Sequence, residues 1–271
     1  MLRISAVAAI AMFAGSAMAD VSALGLYFPF DSNNTTGWSN SMARNDDQSS
    51  ARIDLGFNFC FYETDRTSVF INNNGNLTFG GSFGGFTPSG FPSSGLQMIA
   101  PFWGDVDTRN TTGANTNQVW HQFVDLNGDL ATDTLVVTWD AVGVFPQNNS
   151  EFNTFQVAIS GIRNAFGGNI LGPGNNAMFS YGDMNWTVGS ASGGAAATVG
   201  INNGDGIRYS QIGRFDHDGV DYDGEAGSND GVQYLNGRDY FFDACEGIVP
   251  APGTLALVGL GGLVAGRRRR N

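Results

Sequence analysis

Lysine is absent from this 271-residue chain, and histidine and cysteine occur only twice each. Without lysine, thirteen arginines are the whole cationic complement against twenty-five Asp and Glu, giving a net charge of −12. A surface so poor in positive charge repels polyanions, so no nucleic-acid partner is expected. Two histidines, His121 and His217, are too few for a His-rich zinc centre. A phosphate-binding loop needs its lysine, and the glycine-rich run Gly189–Gly194 carries no dinucleotide fingerprint. Sustained helical periodicity is missing from the body as well, which excludes an α/β fold with crossover helices.

What is present reads as short strands. Thirty-nine glycines and frequent Asn and Asp punctuate the chain. Ser68–Asn72 and Asn76–Gly80 flank Asn74-Gly75, a pair that supplies the positive φ angles of a tight hairpin turn. Gln118–Val124 and Thr134–Asp140 flank Asn127-Gly128 in the same way, and Asn153–Ser160 alternates with Phe155, Val157 and Ile159 on one face. Ala177–Tyr181, Trp186–Val188 and Ala196–Ile201 continue the series, and Tyr234–Asp243 reads as a final hairpin. The expected fold is all-β, a β-sandwich-like pair of antiparallel sheets in a single main domain, with short apolar helices at both termini. Most aromatics, among them Phe57, Phe59, Phe79, Phe102, Trp103, Trp139, Phe155 and Trp186, are expected between the sheets, while Phe83, Phe86 and Phe91 sit in a Gly/Phe/Ser/Pro loop.

The ends differ from the body. Arg3, an apolar run and Ala17-Met18-Ala19 have the form of an export signal cleaved after Ala19 by signal peptidase. With that arginine and the four at the C-terminus set aside, eight arginines face the twenty-five acids, a net charge of about −17. In an oxidising compartment Cys60 and Cys245 form an even pair; a disulfide between them and two buried thiols are the competing readings.

Several groups of residues carry candidate chemistry. Asp216, Asp218, Asp221, Asp223 and Glu225 belong to a stretch with nine acids and one arginine between residues 216 and 246, and their oxygens suit Ca²⁺; a solvated loop with Asp-Gly turns is the alternative. Asp105 and Asp107 alternate after a strand and form a weaker cation candidate, or accept backbone N–H bonds. Asp125–Asp129 begins like a calcium loop, but Gly128 is misplaced and Val136 stands where the bidentate Glu belongs, so it reads as a turn. Gly80-Gly-Ser-Phe-Gly84 has the letters of a nucleophile elbow without its strand–turn–helix context. No catalytic residue is assigned. A carboxylate-based hydrolase remains the alternative, since it needs only two acids across a cleft.

Leu55–Phe59, Val69–Phe79, Ile99–Asp107, Thr138-Trp139, Asn153–Val157, Tyr181–Trp186 and Val199–Gly204 resemble, in order, the motifs of the NIDO domain, the nidogen-like extracellular module. The resemblance implies a noncatalytic part in adhesion or in extracellular matrix or biofilm association, with a surface protein or extracellular polysaccharide as partner. The alternative is a secreted carbohydrate-active or polysaccharide-binding factor. The expected organisation is a signal peptide (1–19), an N-terminal extension (20–52), the NIDO domain (53–212), an acidic β extension (213–247) and a sorting segment (248–271).

That last segment, with Pro250-Ala251-Pro252, the apolar stretch Thr254–Gly266 and Arg267, Arg268, Arg269 and Arg270, resembles the PEP-CTERM signal of Gram-negative bacteria. Alanine stands where that motif has glutamate. The resemblance implies processing by an exosortase, a transient C-terminal membrane anchor with its arginines inside, and final placement at the outer surface, in the matrix or in the periplasm.

Overall fold

The computed structural model describes residues 25–30, 40–113, 116–166, 174–224 and 229–247. Among these residues thirteen strands form two sheets. In chain order they are β1 (Asn40–Ser41), β2 (Ile53–Phe61), β3 (Thr64–Asn72), β4 (Asn76–Thr78), β5 (Met98–Trp103), β6 (Gln118–Val124), β7 (Thr134–Val144), β8 (Asn148–Ser160), β9 (Ala177–Met184), β10 (Ala197–Asn202), β11 (Tyr209–His217), β12 (Asp230–Gly231) and β13 (Asp239–Phe242). One sheet runs β1-β6-β7-β8-β9-β13 and the other β12-β11-β10-β5-β4-β3-β2.

The hairpins written in the sequence form where Asn-Gly pairs and alternation place them. β6 pairs with β7 from Gln118↔Asp140 to Val124↔Thr134, and β3 turns through Asn73–Gly75 into β4. Gly75 is required at that turn: its φ is +79°, and a Cβ there would collide with the carbonyl oxygen of Phe102. The inward faces meet in one core. Trp139 stacks on its cross-strand neighbour Phe155 at 5.0 Å, Phe102 meets Trp186 edge-on at 5.4 Å, and Phe59, Phe61 and Phe79 form an adjoining aromatic group. Buried polar groups find partners inside it: Tyr181 Oη donates to Pro101 O at 2.6 Å, and Trp139 Nε1 to Asn73 O at 3.0 Å.

Both outer faces are covered too. The Gly/Phe/Ser/Pro loop lies on the seven-stranded sheet, where Phe83 and Phe91 pack with Trp103, whose Nε1 donates to Gly85 O at 2.7 Å. Residues 25–30 lie on the other sheet, where the side-chain amide of Gln156 both accepts from Phe28 N and donates to Phe28 O.

Cys60 and Cys245 are joined, with Cα atoms 4.8 Å apart. The bond ties β2, the outermost strand of one sheet, to the residues that follow β13, the outermost strand of the other. Backbone bonds from Tyr62 N to Ala244 O and from Glu63 N to Cys245 O reinforce the same seam.

Four expectations are corrected. The sheets are not purely antiparallel, because β12 runs parallel to β11. Tyr234–Asp243 is not a hairpin: a 3-10 turn at Val232–Leu235 leads into β13, which pairs with β9. The fold as described has no apolar terminal helices; its only helices are two 3-10 turns of three and four residues. Among the described residues no helix is long and apolar enough to cross a membrane, so the expected transmembrane anchor, and the localisation that rested on it, is withdrawn. The export signal (1–19), Pro250-Ala251-Pro252, the apolar stretch Thr254–Gly266 and Arg267–Arg270 lie outside the described residues.

Candidate metal centre

Three loops converge beside the β3–β4 turn. The first carries Asp46 and Asp47 between β1 and β2, the second carries Asp105 and Asp107 after β5, and the third is Gly189–Ser192. Asn73 and Asn74 hold the first two together. Asn73 Nδ2 donates to the backbone oxygens of Asp46 at 2.6 Å and Val106 at 2.7 Å, with a longer contact to Asn45 O at 3.3 Å. Asn74 Nδ2 donates to Asp47 Oδ1 at 2.9 Å, while its Oδ1 accepts Val106 N at 3.0 Å. The Asn-rich turn thus does more than reverse the chain: its buried amides clamp the two acidic loops. Asn73→Ala strips those carbonyls of their shared donor and is expected to cost about 2 kcal/mol in urea unfolding.

Asp46, Asp47 and Asp105 each bring a carboxylate oxygen to within 4.8 Å of the others. Asp105 is 1% exposed; its Oδ2 receives only a long 3.3 Å bond from Ser192 Oγ, and its carboxylate packs against the bare Cα of Gly189. Asp46 Oδ2 pairs with Arg109 at 3.0 Å, but its Oδ1 is buried without a partner. Burial, then the negative charges of Asp107 and Asp47, push the Asp46 carboxyl up to about 6. Burial pushes Asp105 up to about 6 as well, against the Ser192 bond and with Asp47, Asp46 and Asp107 adding to the rise.

Asp107 behaves differently. Burial opposes its charge, but bonds from Arg109 Nε at 2.9 Å, Arg109 N at 3.0 Å and Gln147 N at 2.8 Å hold its carboxyl below the usual range. Of the two acids singled out after β5, then, Asp105 enters the cluster and Asp107 is spent on Arg109. Asp46 and Asp47 carried no signal in the sequence, since nothing in Asn45-Asp46-Asp47-Gln48 announces that a distant Asn turn holds it against Asp105.

In the acidic run that starts at the end of β11, the described carboxylates do not gather as Asp46, Asp47 and Asp105 do. His217 stands between two of its carboxylates, with Nδ1 2.6 Å from Asp216 and Nε2 3.1 Å from Asp221. Those bonds, Asp216 first, raise the His217 pKa. Asp223 N donates to buried Asp230 at 3.0 Å, Asp218 is exposed, and Glu225 lies outside the described residues. Tyr222 stacks on Tyr234 at 4.1 Å, with Arg238 over the other ring face, so the loop is tied down by aromatic contact. Asp125–Asp129 is a turn: Asp125 accepts Gly128 N and Leu130 N.

The donor set of the Asp46–Asp47–Asp105 cluster, all oxygen and all anionic, is of the kind that hard divalent cations take. The orphaned Asp46 Oδ1 fits the same chemistry.

The profile of the nidogen-like domain family matches residues 67–234. Among curated proteins, α-tectorin of Gallus gallus is 30% identical over 213 residues, covering 70% of this chain and 9% of that protein. α-Tectorin of Mus musculus is 32% identical over 189 residues, covering 64% and 8%. Nidogen of Drosophila melanogaster is 28% identical over 152 residues, covering 49% and 10%. The chain therefore spans less than a tenth of the α-tectorins it matches. No solved structure matches the chain significantly. With well over half of its length matched, from within β3 to the turn before β13, the chain belongs to the nidogen-like domain family.

Proposed function

We propose that this chain is a noncatalytic extracellular adhesion or matrix-association module whose Asp46–Asp47–Asp105 cluster takes Ca²⁺. The observation that carries the metal assignment is the convergence of three carboxylates with one buried oxygen left unpaired. Backbone and water oxygens complete a shell of the size Ca²⁺ prefers. The adhesion reading draws on the family and on relatives named α-tectorin and nidogen. The partner class is an extracellular polysaccharide or a surface protein.

The site itself speaks for binding over hydrolysis. Asp105 is buried, with its carboxylate packed against Gly189, so it is not placed to flank the glycosidic bond of a polymer as a glycosidase acid must. A polymer should therefore be retained and recovered at its original length; turnover abolished by Asp105→Asn would show the hydrolase reading to be right. The sorting element at Pro250-Ala251-Pro252 belongs to the same proposal, with an exosortase as its processing partner. Mass spectrometry of the protein from its native host should find a C-terminus near Pro252; a chain ending at Asn271 would remove the sorting element from the proposal.

A further inference from the structure

A groove of about 350 Å³ opens between β1 and the chain entering β2. Met42, Gln48, Ser50 and Ile53 line it, together with His121 from β6. β6 sends Val119, His121 and Phe123 to one face, and Val119 and Phe123 pack in the core between the sheets. An imidazole therefore stands in the row where an apolar side chain would close the sandwich. Burial lowers the His121 pKa, so the ring is neutral at pH 7. Its Nδ1 is buried and has no hydrogen-bond partner.

We propose that this groove binds an uncharged, hydroxylated ligand of the size of one or two sugar residues, with His121 as its hydrogen-bonding group. No formally charged side chain lines the groove, so an ionic guest would lose its hydration without gaining a counter-charge. A purely apolar guest would leave the imidazole nitrogen unpaired. A hydroxyl meets that nitrogen in either tautomer, as donor to a bare Nδ1 or as acceptor from Nδ1–H. A half-turn about the Cβ–Cγ bond, an ordinary motion for an imidazole, brings the nitrogen to the groove. The volume falls in the range of small-ligand sites, and Met42 and Ile53 supply the apolar surface on which the C–H face of a sugar ring rests.

This inference rests on the adhesion reading only for the source of the ligand, a saccharide unit of a surrounding polymer. Because His121 and His217 are the only histidines, the experiment is clean. In uniformly ¹⁵N-labelled protein, methyl glucoside, galactoside, mannoside and N-acetylglucosaminide are titrated in turn while both imidazoles and the backbone amides are followed. The expected result is a saturable shift of the His121 nitrogens with His217 unmoved, accompanied by shifts of the Gln48 and Ile53 amides. His121→Phe, which keeps the apolar row, should abolish the amide shifts. The proposal is overturned if no glycoside moves His121, if the amide shifts survive in His121→Phe, or if methylcyclohexane, a ring of similar size without hydroxyls, produces the same shifts. Retention of a polymer by His121→Phe at wild-type strength would separate this groove from the adhesion surface and leave the adhesion reading standing.

Discussion

Replacing Cys60 and Cys245 together by serine is expected to lower the free energy of unfolding by about 2–5 kcal/mol, the largest loss of any change considered. The bond closes a loop of sequence separation 185, so cutting it returns much of the chain's entropy to the unfolded state. Its position adds a local cost, since it joins the last strands of two different sheets. The bonds from Tyr62 and Glu63 to Ala244 and Cys245, and those of Asn176 to Cys60 O and Ala244 N, lie on the same seam. Without the bond, β2 and the residues after β13 should exchange amide protons faster, while β7 and β8 at the centre of the six-stranded sheet should change least. Equal midpoints for oxidised and reduced protein in urea would show that the backbone seam alone holds the edges.

The second large effect concerns Asp105 and has an unusual sign. Both Asp46 and Asp105 titrate near 6 in the folded protein, above the unfolded value of 3.8. A raised carboxyl pKa means that the charged form is the penalised one. Without a divalent cation, stability should therefore rise as pH falls from about 7 towards 4, through the folded pKa values, by on the order of 1–3 kcal/mol from Asp105. Asp140, buried against Thr116 and also raised to about 6, adds in the same direction.

Asp105→Asn should mimic protonation: the metal-free variant is expected to melt higher than wild type at pH 7 and to lose most of its pH dependence below that. Ca²⁺ reverses the order. It binds the charged form, so it should stabilise wild type by about 2.7 kcal/mol at a hundredfold excess over Kd, fail to stabilise Asp105→Asn, and weaken as protons compete below about pH 6. A carboxylate kept at a cost to folding is what a ligand site, rather than a structural salt bridge, looks like. Parallel thermal melts of the two proteins across pH, with EDTA and with Ca²⁺, read all of these signs in one set.

The sequence displayed its strands well because their signals are local. Alternation in Asn153–Ser160 and the Asn-Gly pairs need only neighbouring residues to be read, and the aromatic core follows from them. β13 was misread because Asn236-Gly237 looks like a hairpin turn, whereas the preceding segment coils into a 3-10 turn and β9 offers the free edge. At the site, Asp105 was legible from its place after a strand, but its partners were not. Asp46 and Asp47 reach it only through the amides of Asn73 and Asn74, and Gly189–Ser192, which reads as a plain connection, supplies the wall and the hydroxyl behind it. In the acidic run, counting charges does not reveal that His217 bonds to two of the carboxylates or that Tyr222, Tyr234 and Arg238 stack beside it.

Calorimetric titration of Ca²⁺ into metal-free protein at neutral pH, for wild type and Asp105→Asn side by side, tests the central claim most directly. A binding module with its cation at Asp46, Asp47 and Asp105 should show a single saturable site in wild type and none in the variant. Absence of binding in wild type, or equal binding in both proteins, would contradict it.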